Sequence, residues 1–409
     1  MKIAQVCYLY PPAIGGVETH VEKISKYLKR NGHKIEVFCS DYGSLNRKKR
    51  LARGAQIIDG IKVTRFKGSY LPGYGQKIAF LGLFRALMKA DCDIIHCHSF
   101  PSMHFDICWL VSRMRGIPLV ATGHYDPVLL DQAAKRLHKR VYWHAWLKRA
   151  LRSCSIIAII DEEKKKYVEN FGIPAKNIRV IPNGVDLEDI KAVKQNDVKR
   201  FVDRYCLKGK KVVLFVGRIC RAKGIDLLIM AMKPILKKNK NIVLQIVGPI
   251  ADNRYFEEIE KMANLPNIVI TGPLTKKEVL AAYRNCQIFA SPTRGEVFGI
   301  TFVEAMAFRK IVIGTRVGGL PDIIDNGRTG YLVESENAPA LGDRLEYCLD
   351  NYSRLEKIRE NAYKKVLAKF SWRKIAKETE KVYKRSKNDI RRYSDKERGE
   401  GAGEIAKSS

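Results

Sequence analysis

An alternation of short apolar segments with longer amphipathic ones, run through twice, constrains this chain more than any other feature. The first set of short segments is KIAQVCY, KIEVFCS, IKVTRF, DIIHCHS, PLVATGH, SIIAIID and RVIPNG, and the second is KVVLFVG, NIVLQIVG, NIVITG, CQIFASPT, IVIGTRVG and GYLVE. Near-continuous apolar runs of this length are strands buried on both faces, and the stretches between them have the period of crossover helices. In the first such helix Val17, Val21, Ile24 and Leu28 share a face, and Gly32 stands where it ends. Strand and helix in alternation build a parallel sheet covered on both sides, and a chain of 409 residues exceeds what one core usually holds. The expected fold class is therefore α/β, with two Rossmann-like domains over 1–187 and 211–370, joined by a lysine-rich linker at 188–210.

Two further segments follow the second domain. Ser371 has the character of an N-cap, and Trp372, Ile375, Ala376, Thr379, Val382 and Tyr383 fall on one helical stripe, so a helix is expected over 371–386. Residues 387–409 are charged, glycine-bearing and nearly free of large apolar side chains, which predicts a disordered basic tail.

Charge narrows the partners without choosing one. With 75 Lys and Arg against 43 Asp and Glu, the formal charge is +32, which attracts nucleic acid, anionic membrane or phosphorylated substrates alike. No apolar run reaches the roughly 18 residues of a membrane span. The opening MKIAQVCYLYPP has one lysine and two prolines where a cleavage site would stand, so it is expected to be the first strand. Ten cysteines without a CxxC pair suit a reducing compartment, hence a cytoplasmic location. The segment 135–152 mixes basic residues with Tyr142, Trp143 and Trp146; it either rests on an anionic bilayer or packs its aromatic stripe on the sheet, and we favour the second.

Candidate chemistry gathers where strands end. Gly15 and Gly16 lie between the first strand and the first helix, where a tight turn brings backbone N–H groups to an anion. Arg218 and Lys223 frame the matching loop of the second half, a fork and a mobile ammonium suited to a departing diphosphate. His124 ends a strand in ATGHYDP, placed to meet a sugar hydroxyl or a phosphate oxygen. No metal is expected: along one strand His96 and His98 share a face while Cys97 points to the other, and no second ligand pair has a usual spacing.

The stretch TRGEVFGITFVEAMA holds two carboxylates among apolar neighbours. Glu296 follows a strand, Gly299 permits a sharp turn, and Thr301 and Glu304 belong to the next helix. With a turn between them the glutamates converge on one ligand, the amides of Phe298, Gly299, Ile300 and Thr301 facing phosphate and the carboxylates accepting from hydroxyls at either end.

EVFGITFVE, with its E-x7-E spacing, together with GG at 15–16, GR at 217–218, KG at 223–224 and PNGVD at 182–186, resembles family 4 of the retaining glycosyltransferases. That resemblance implies the GT-B fold, two Rossmann-like domains facing a central cleft with a C-terminal helix crossing back to the first. It also implies transfer of a hexose from a nucleotide diphosphate sugar, UDP- or GDP-linked, to a hydroxyl of a glycan or lipid-linked glycan, without metal or other cofactor. Carried onto this chain, it gives Glu296 the donor sugar, Glu304 the ribose, Arg218 and Lys223 the diphosphate, Gly15 and Gly16 the lid of the reacting centre, and His124 a place beside the sugar. The VGPIADN segment departs from the family's glycine-richer pattern. A nucleotide-sugar epimerase of the same architecture is an alternative that would not carry E-x7-E. A basic nucleic-acid-binding protein is another, opposed by the lack of helix-turn-helix, RNP-type or zinc-finger patterns.

Overall fold

The computed structural model describes residues 1–13, 15–44, 50–70, 78–80, 82–124 and 146–405. They form two compact units, Met1–Pro182 with Trp372–Ser409, and Asn183–Ser371.

In the first unit the strands are β1 (Lys2–Val6), β2 (Lys34–Ser40), β3 (Gly54–Ile58), β4 (Ile61–Phe66), β5 (Gly68–Tyr70), β6 (Ile78–Phe80), β7 (Ile94–His98), β8 (Leu119–Thr122), β9 (Ser155–Ala158) and β10 (Ile178–Val180). Eight of them make one sheet in the order β10-β9-β8-β7-β1-β2-β4-β3, parallel except for the β3–β4 hairpin. Strand alternation splits the apolar residues between two layers. Ala4, Val6, Ile95 and Leu119 pack with Phe105 and Leu151. Ile3, Val37, Ile94 and Val120 pack on the other side with Ile24 and Leu28 of the first helix, Gly16–Arg30, and with Trp372, Ile375, Val382 and Tyr383 of the last. The C-terminal helix thus returns to the first unit, as the family resemblance implies, and docks there through the stripe from Trp372 to Tyr383.

The second unit holds β11 (Lys211–Val216), β12 (Ile242–Val247), β13 (Ile268–Gly272), β14 (Ile288–Ser291), β15 (Ile311–Thr315) and β16 (Tyr331–Val333) in the parallel order β13-β12-β11-β14-β15-β16. Each sheet reverses its winding beside its first strand, at β1/β7 and at β11/β14. Loops leaving the carboxyl ends of strands at such a reversal diverge and open a crevice, where ligands of open α/β sheets bind.

Three expectations need correction. Residues 188–210 are no linker: they belong to the second unit and contain helices Leu187–Lys191 and Gln195–Arg204. Val198 and Phe201, one helical turn apart, are buried, and the surrounding lysines masked that stripe. The unit boundary accordingly falls at Pro182 rather than 187. Finally, the last helix continues to Ile405 instead of giving way to a disordered tail after Ser386. Its sequence lacks a core-facing stripe, but up to Arg398 it is rich in Lys, Arg and Glu, which favour a helix, and glycines come only at 399, 401 and 403.

Candidate active site

In the second unit the crevice at β11/β14 is built by two loops that hold each other. The loop after β11 ends in a 3-10 turn, Arg221–Lys223, and then Gly224 at φ 65° before helix Ile225–Lys238. A side chain at Gly224 would run into the backbone oxygen of Pro292, so only glycine lets the loops approach this closely. Thr293 Oγ1 and the Arg294 N–H both donate to the Ala222 carbonyl, each over 2.8 Å. Arg294 also donates both terminal nitrogens to the two oxygens of Asp226 at 2.8 Å, while its Nε reaches Glu336 at 2.5 Å. Burial alone would raise the Asp226 carboxyl, but hydrogen bonds from Arg294 and Tyr255 overcome that and hold it below its ordinary range.

On this brace Lys223 Nζ meets Glu296 Oε2 at 2.6 Å, both side chains 18% exposed. The pair is thus shielded enough to matter and open enough to be reached by a ligand. Arg218 lies on the same loop, exposed to solvent. Past Glu296, Gly299 adopts φ 91° as the N-cap of helix Ile300–Ala307, as the glycine in that stretch predicts. Phe298 puts its ring into the core against Phe370, Thr301 is half-buried and Ile300 exposed. Glu304, on the helix, accepts from the fully buried Tyr283 hydroxyl at 2.9 Å. Burial raises the Glu304 carboxyl despite that bond. The two glutamates therefore differ in kind, one paired with a cation and the other with a phenol.

The first unit gathers histidines at its own crevice. Gly15, in extended backbone, caps the first helix, which begins at Gly16. His20 from that helix, His98 from the end of β7 and His124 after β8 come together, with one nitrogen of each within 4.8 Å of the others. His124 has φ 101°, an unusual conformation for a side-chain-bearing residue and of the kind that collects at functional sites. Among the described residues no other group of this sort could hold an ion. Segment 135–152 is described only from Trp146: Trp146 donates to Asp106 at 3.0 Å and stacks edge-on with Trp109, and Leu147, Ala150 and Leu151 are buried, so this end packs inward. Its remainder, 135–145, lies outside the described residues.

The structure brings Lys223 together with Glu296, and places Arg218 on the same loop and Phe298, Gly299, Ile300, Thr301 and Glu304 on the next turn and helix. Asp226, Arg294 and Glu336 were invisible to motif reading, because a brace between loops has no local spacing; Arg294, two residues before Glu296, was the nearest signal. His20, four residues after Gly16, was also missed, although it shares a helix face with Val17, Val21 and Ile24.

The family model for glycosyl transferases group 1 matches residues 202–365, and that for glycosyltransferase family 4 matches residues 14–189. An uncharacterised glycosyltransferase of Methanocaldococcus jannaschii is 29% identical over 405 residues, covering 94% of this chain and 98% of that protein. A D-inositol 3-phosphate glycosyltransferase of Corynebacterium aurimucosum is 26% identical over 396 residues, covering 90% of each. Among solved structures, a glycosyltransferase from Rickettsia africae superposes with a TM-score of 0.75 at 22% identity, covering 94% of this chain and 98% of that one. A protein of Anabaena in complex with UDP and glucose gives 0.70 at 19% identity, with 93% and 99% covered. These neighbours share the two-unit parallel-sheet architecture, so the fold is GT-B.

Proposed function

We propose that this chain, which belongs to glycosyltransferase family 4, moves a hexose from a nucleotide diphosphate sugar to an acceptor hydroxyl with retention of configuration. The observation that carries the donor class is the Lys223–Glu296 pair at the β11/β14 crevice, 2.6 Å apart and braced from behind by Arg294 and Asp226. A diphosphate offers Lys223 a stronger partner than one carboxylate, and freeing Glu296 gives it to sugar hydroxyls, which donate to it. The amides opening helix Ile300–Ala307 suit the phosphates, and Glu304 suits the paired hydroxyls of a ribose.

In the step proposed, the bond between the anomeric carbon and the diphosphate oxygen breaks as the acceptor oxygen bonds to that carbon on the same face. The acceptor proton passes to the departing diphosphate, whose charge Arg218 and Lys223 stabilise. Glu296 positions the sugar and carries no proton in this scheme, and no residue of the step calls for a metal. A glycan or lipid-linked glycan is the proposed acceptor. The proposed setting is cytoplasmic, at the inner membrane face; among the described residues no helix is long and apolar enough to cross a membrane.

Thermal unfolding of the full chain with UDP-, GDP- and ADP-sugars tests the donor class. A ligand at a hundred times its dissociation constant stabilises by about 2.7 kcal/mol. One nucleotide series should raise the unfolding temperature, and do so less in Lys223→Ala. No response to any nucleotide sugar, with salt-sensitive binding to random DNA, would replace the proposal with a nucleic-acid-binding function.

A further inference from the structure

We propose that Gln5 and Tyr383 are positioning residues for His124: acting through His98, they fix its ring proton on Nε2 and leave Nδ1 to accept a hydrogen bond from a substrate hydroxyl. The inference rests on the reading of His124 as a group beside the donor sugar, and narrows what it can contact there.

Five contacts run through the interior of the first unit. Gln5 lies on β1, His96 and His98 on β7, Thr122 at the end of β8, and Tyr383 on the last helix. Gln5, His96, His98, Thr122 and Tyr383 are all 1% exposed or less. Gln5 Oε1 only accepts, so His98, 2.7 Å away, donates from Nε2. A neutral imidazole has one proton, which leaves His98 Nδ1 as an acceptor. The atom 3.1 Å from it, Nε2 of His124, must then be the donor. His124 Nδ1 keeps its lone pair.

The other arm obeys the same direction. Gln5 Nε2 donates to the Tyr383 hydroxyl at 3.2 Å, that hydroxyl donates to His96 Nδ1 at 2.6 Å, and His96 Nε2 donates to Thr122 Oγ1 at 2.7 Å. Turning the Gln5 amide over would reverse every bond and move the His124 proton to Nδ1. The six groups therefore share one polarity, and His124 takes its tautomer from the whole. Burial supports the neutral forms: it lowers His96 to about 3 and, with mutual repulsion among the histidines, holds His98 and His124 well below the usual imidazole range. Gly123, next to His124, leaves no room for a side chain, which would strike the Glu163 carboxylate and the Tyr167 hydroxyl, themselves hydrogen-bonded to each other.

A lone pair at Nδ1 cannot donate to a phosphate oxygen. His124 is thereby assigned to a hydroxyl rather than to a phosphate oxygen. A zinc ion shared by His20, His98 and His124 is the competing use of this cluster. It would take one ring nitrogen of each histidine as a ligand and so compete with the relay.

Nitrogen-15 NMR of histidine-labelled full chain reads the tautomer directly, with or without substrate. The wild type should show His124 protonated at Nε2 by about fivefold over Nδ1, the scale of one net hydrogen bond. Tyr383→Phe should bring the two forms toward parity, and Gln5→Leu should do the same if the tyrosine variant folds poorly. Val382→Ala removes buried volume from the same helix without touching the relay, so it should lower thermal stability and leave the tautomer unchanged. A wild-type proton on Nδ1, or an unchanged ratio in both Tyr383→Phe and Gln5→Leu, would overturn the proposal. So would stoichiometric zinc binding that disappears in His20→Ala. Failure of the donor-site reading looks different: His124→Ala would bind the nucleotide sugar as wild type does, while the tautomer result stands.

Discussion

Around Lys223 the polar groups carry full charges and remain within reach of water, whereas around His98 they are neutral and sealed. Lys223 and Glu296 are 18% exposed and joined by a single contact, and the Arg294–Asp226 brace behind them is 22% and 15% exposed. His96 and His98 are buried, and desolvation keeps them uncharged. An ion pair between flexible side chains has little directional preference and is exchanged readily for a better-charged partner. A chain of neutral hydrogen bonds is directional, because each group must be either donor or acceptor. The first arrangement suits a ligand that arrives with charge, and the second a ligand that must be oriented.

Lys223→Ala should be the most damaging change on either side. Losing a preorganised charge at a departing diphosphate costs on the order of a hundredfold in turnover. His124→Ala should cost less, about tenfold, the scale of one neutral hydrogen bond. Steady-state rates with the donor found by thermal unfolding would check both. A larger loss at His124 than at Lys223 would break the contrast between the two regions.

Asp226→Asn tests whether the brace is held by charge. Replacing one partner leaves Arg294 with Glu336 as its one carboxylate, beside the Arg221 carbonyl, and an expected loss of about 1–3 kcal/mol follows from weakening the bonds of a partly buried charged donor. Since the folded Asp226 carboxyl lies below its ordinary value of 3.8, its stabilising contribution is complete above that value and disappears as pH falls through the lower, folded one. Urea unfolding should therefore separate wild type from variant at pH 7 and bring them together in strong acid. Equal stability at pH 7 would mean that the loops are held by Thr293 and the backbone bonds to Ala222 instead.

How far the sequence foretold these regions depends on the range of the contacts involved. Strands such as β7, β8 and β12 are rich in apolar residues and buried along their whole length, and could be located without ambiguity. The β3–β4 hairpin passed unnoticed, although Asp59-Gly60 between apolar runs is a two-residue turn signal, and both residues have positive φ. Glu296 and Gly299 are neighbours in sequence, so their turn was legible. Lys223 meeting Glu296 across 73 residues, or Tyr383 reaching His96 across 287, leaves no periodic trace. Tyr383 was assigned to an apolar stripe, which accounts for its ring but not its hydroxyl. Helix Gln195–Arg204 was lost because charge dominates its composition while only two or three of its residues face inward.

The smallest effect sits at Glu304, a site in the charged unit that behaves like the neutral one. Its carboxyl is raised above the usual 4.5 by burial, with the Tyr283 hydroxyl opposing the shift. A raised carboxyl makes the folded chain hold its proton more tightly than the unfolded chain, so its contribution favours folding below 4.5 and is lost as pH rises through the folded value. Once ionised, the buried Glu304 is accordingly a cost to stability, which binding would offset by supplying hydroxyl donors. Glu304→Gln should unfold at a slightly higher temperature than wild type at pH 7, since Tyr283 can still donate to the amide oxygen. Affinity for the nucleotide should meanwhile fall by about tenfold, the lower end for a hydrogen bond that loses its charged acceptor. Calorimetric titration beside thermal unfolding would read both signs in one variant. If stability and affinity fell together, Glu304 would be a structural partner of Tyr283 with no hydroxyl of a ligand to receive.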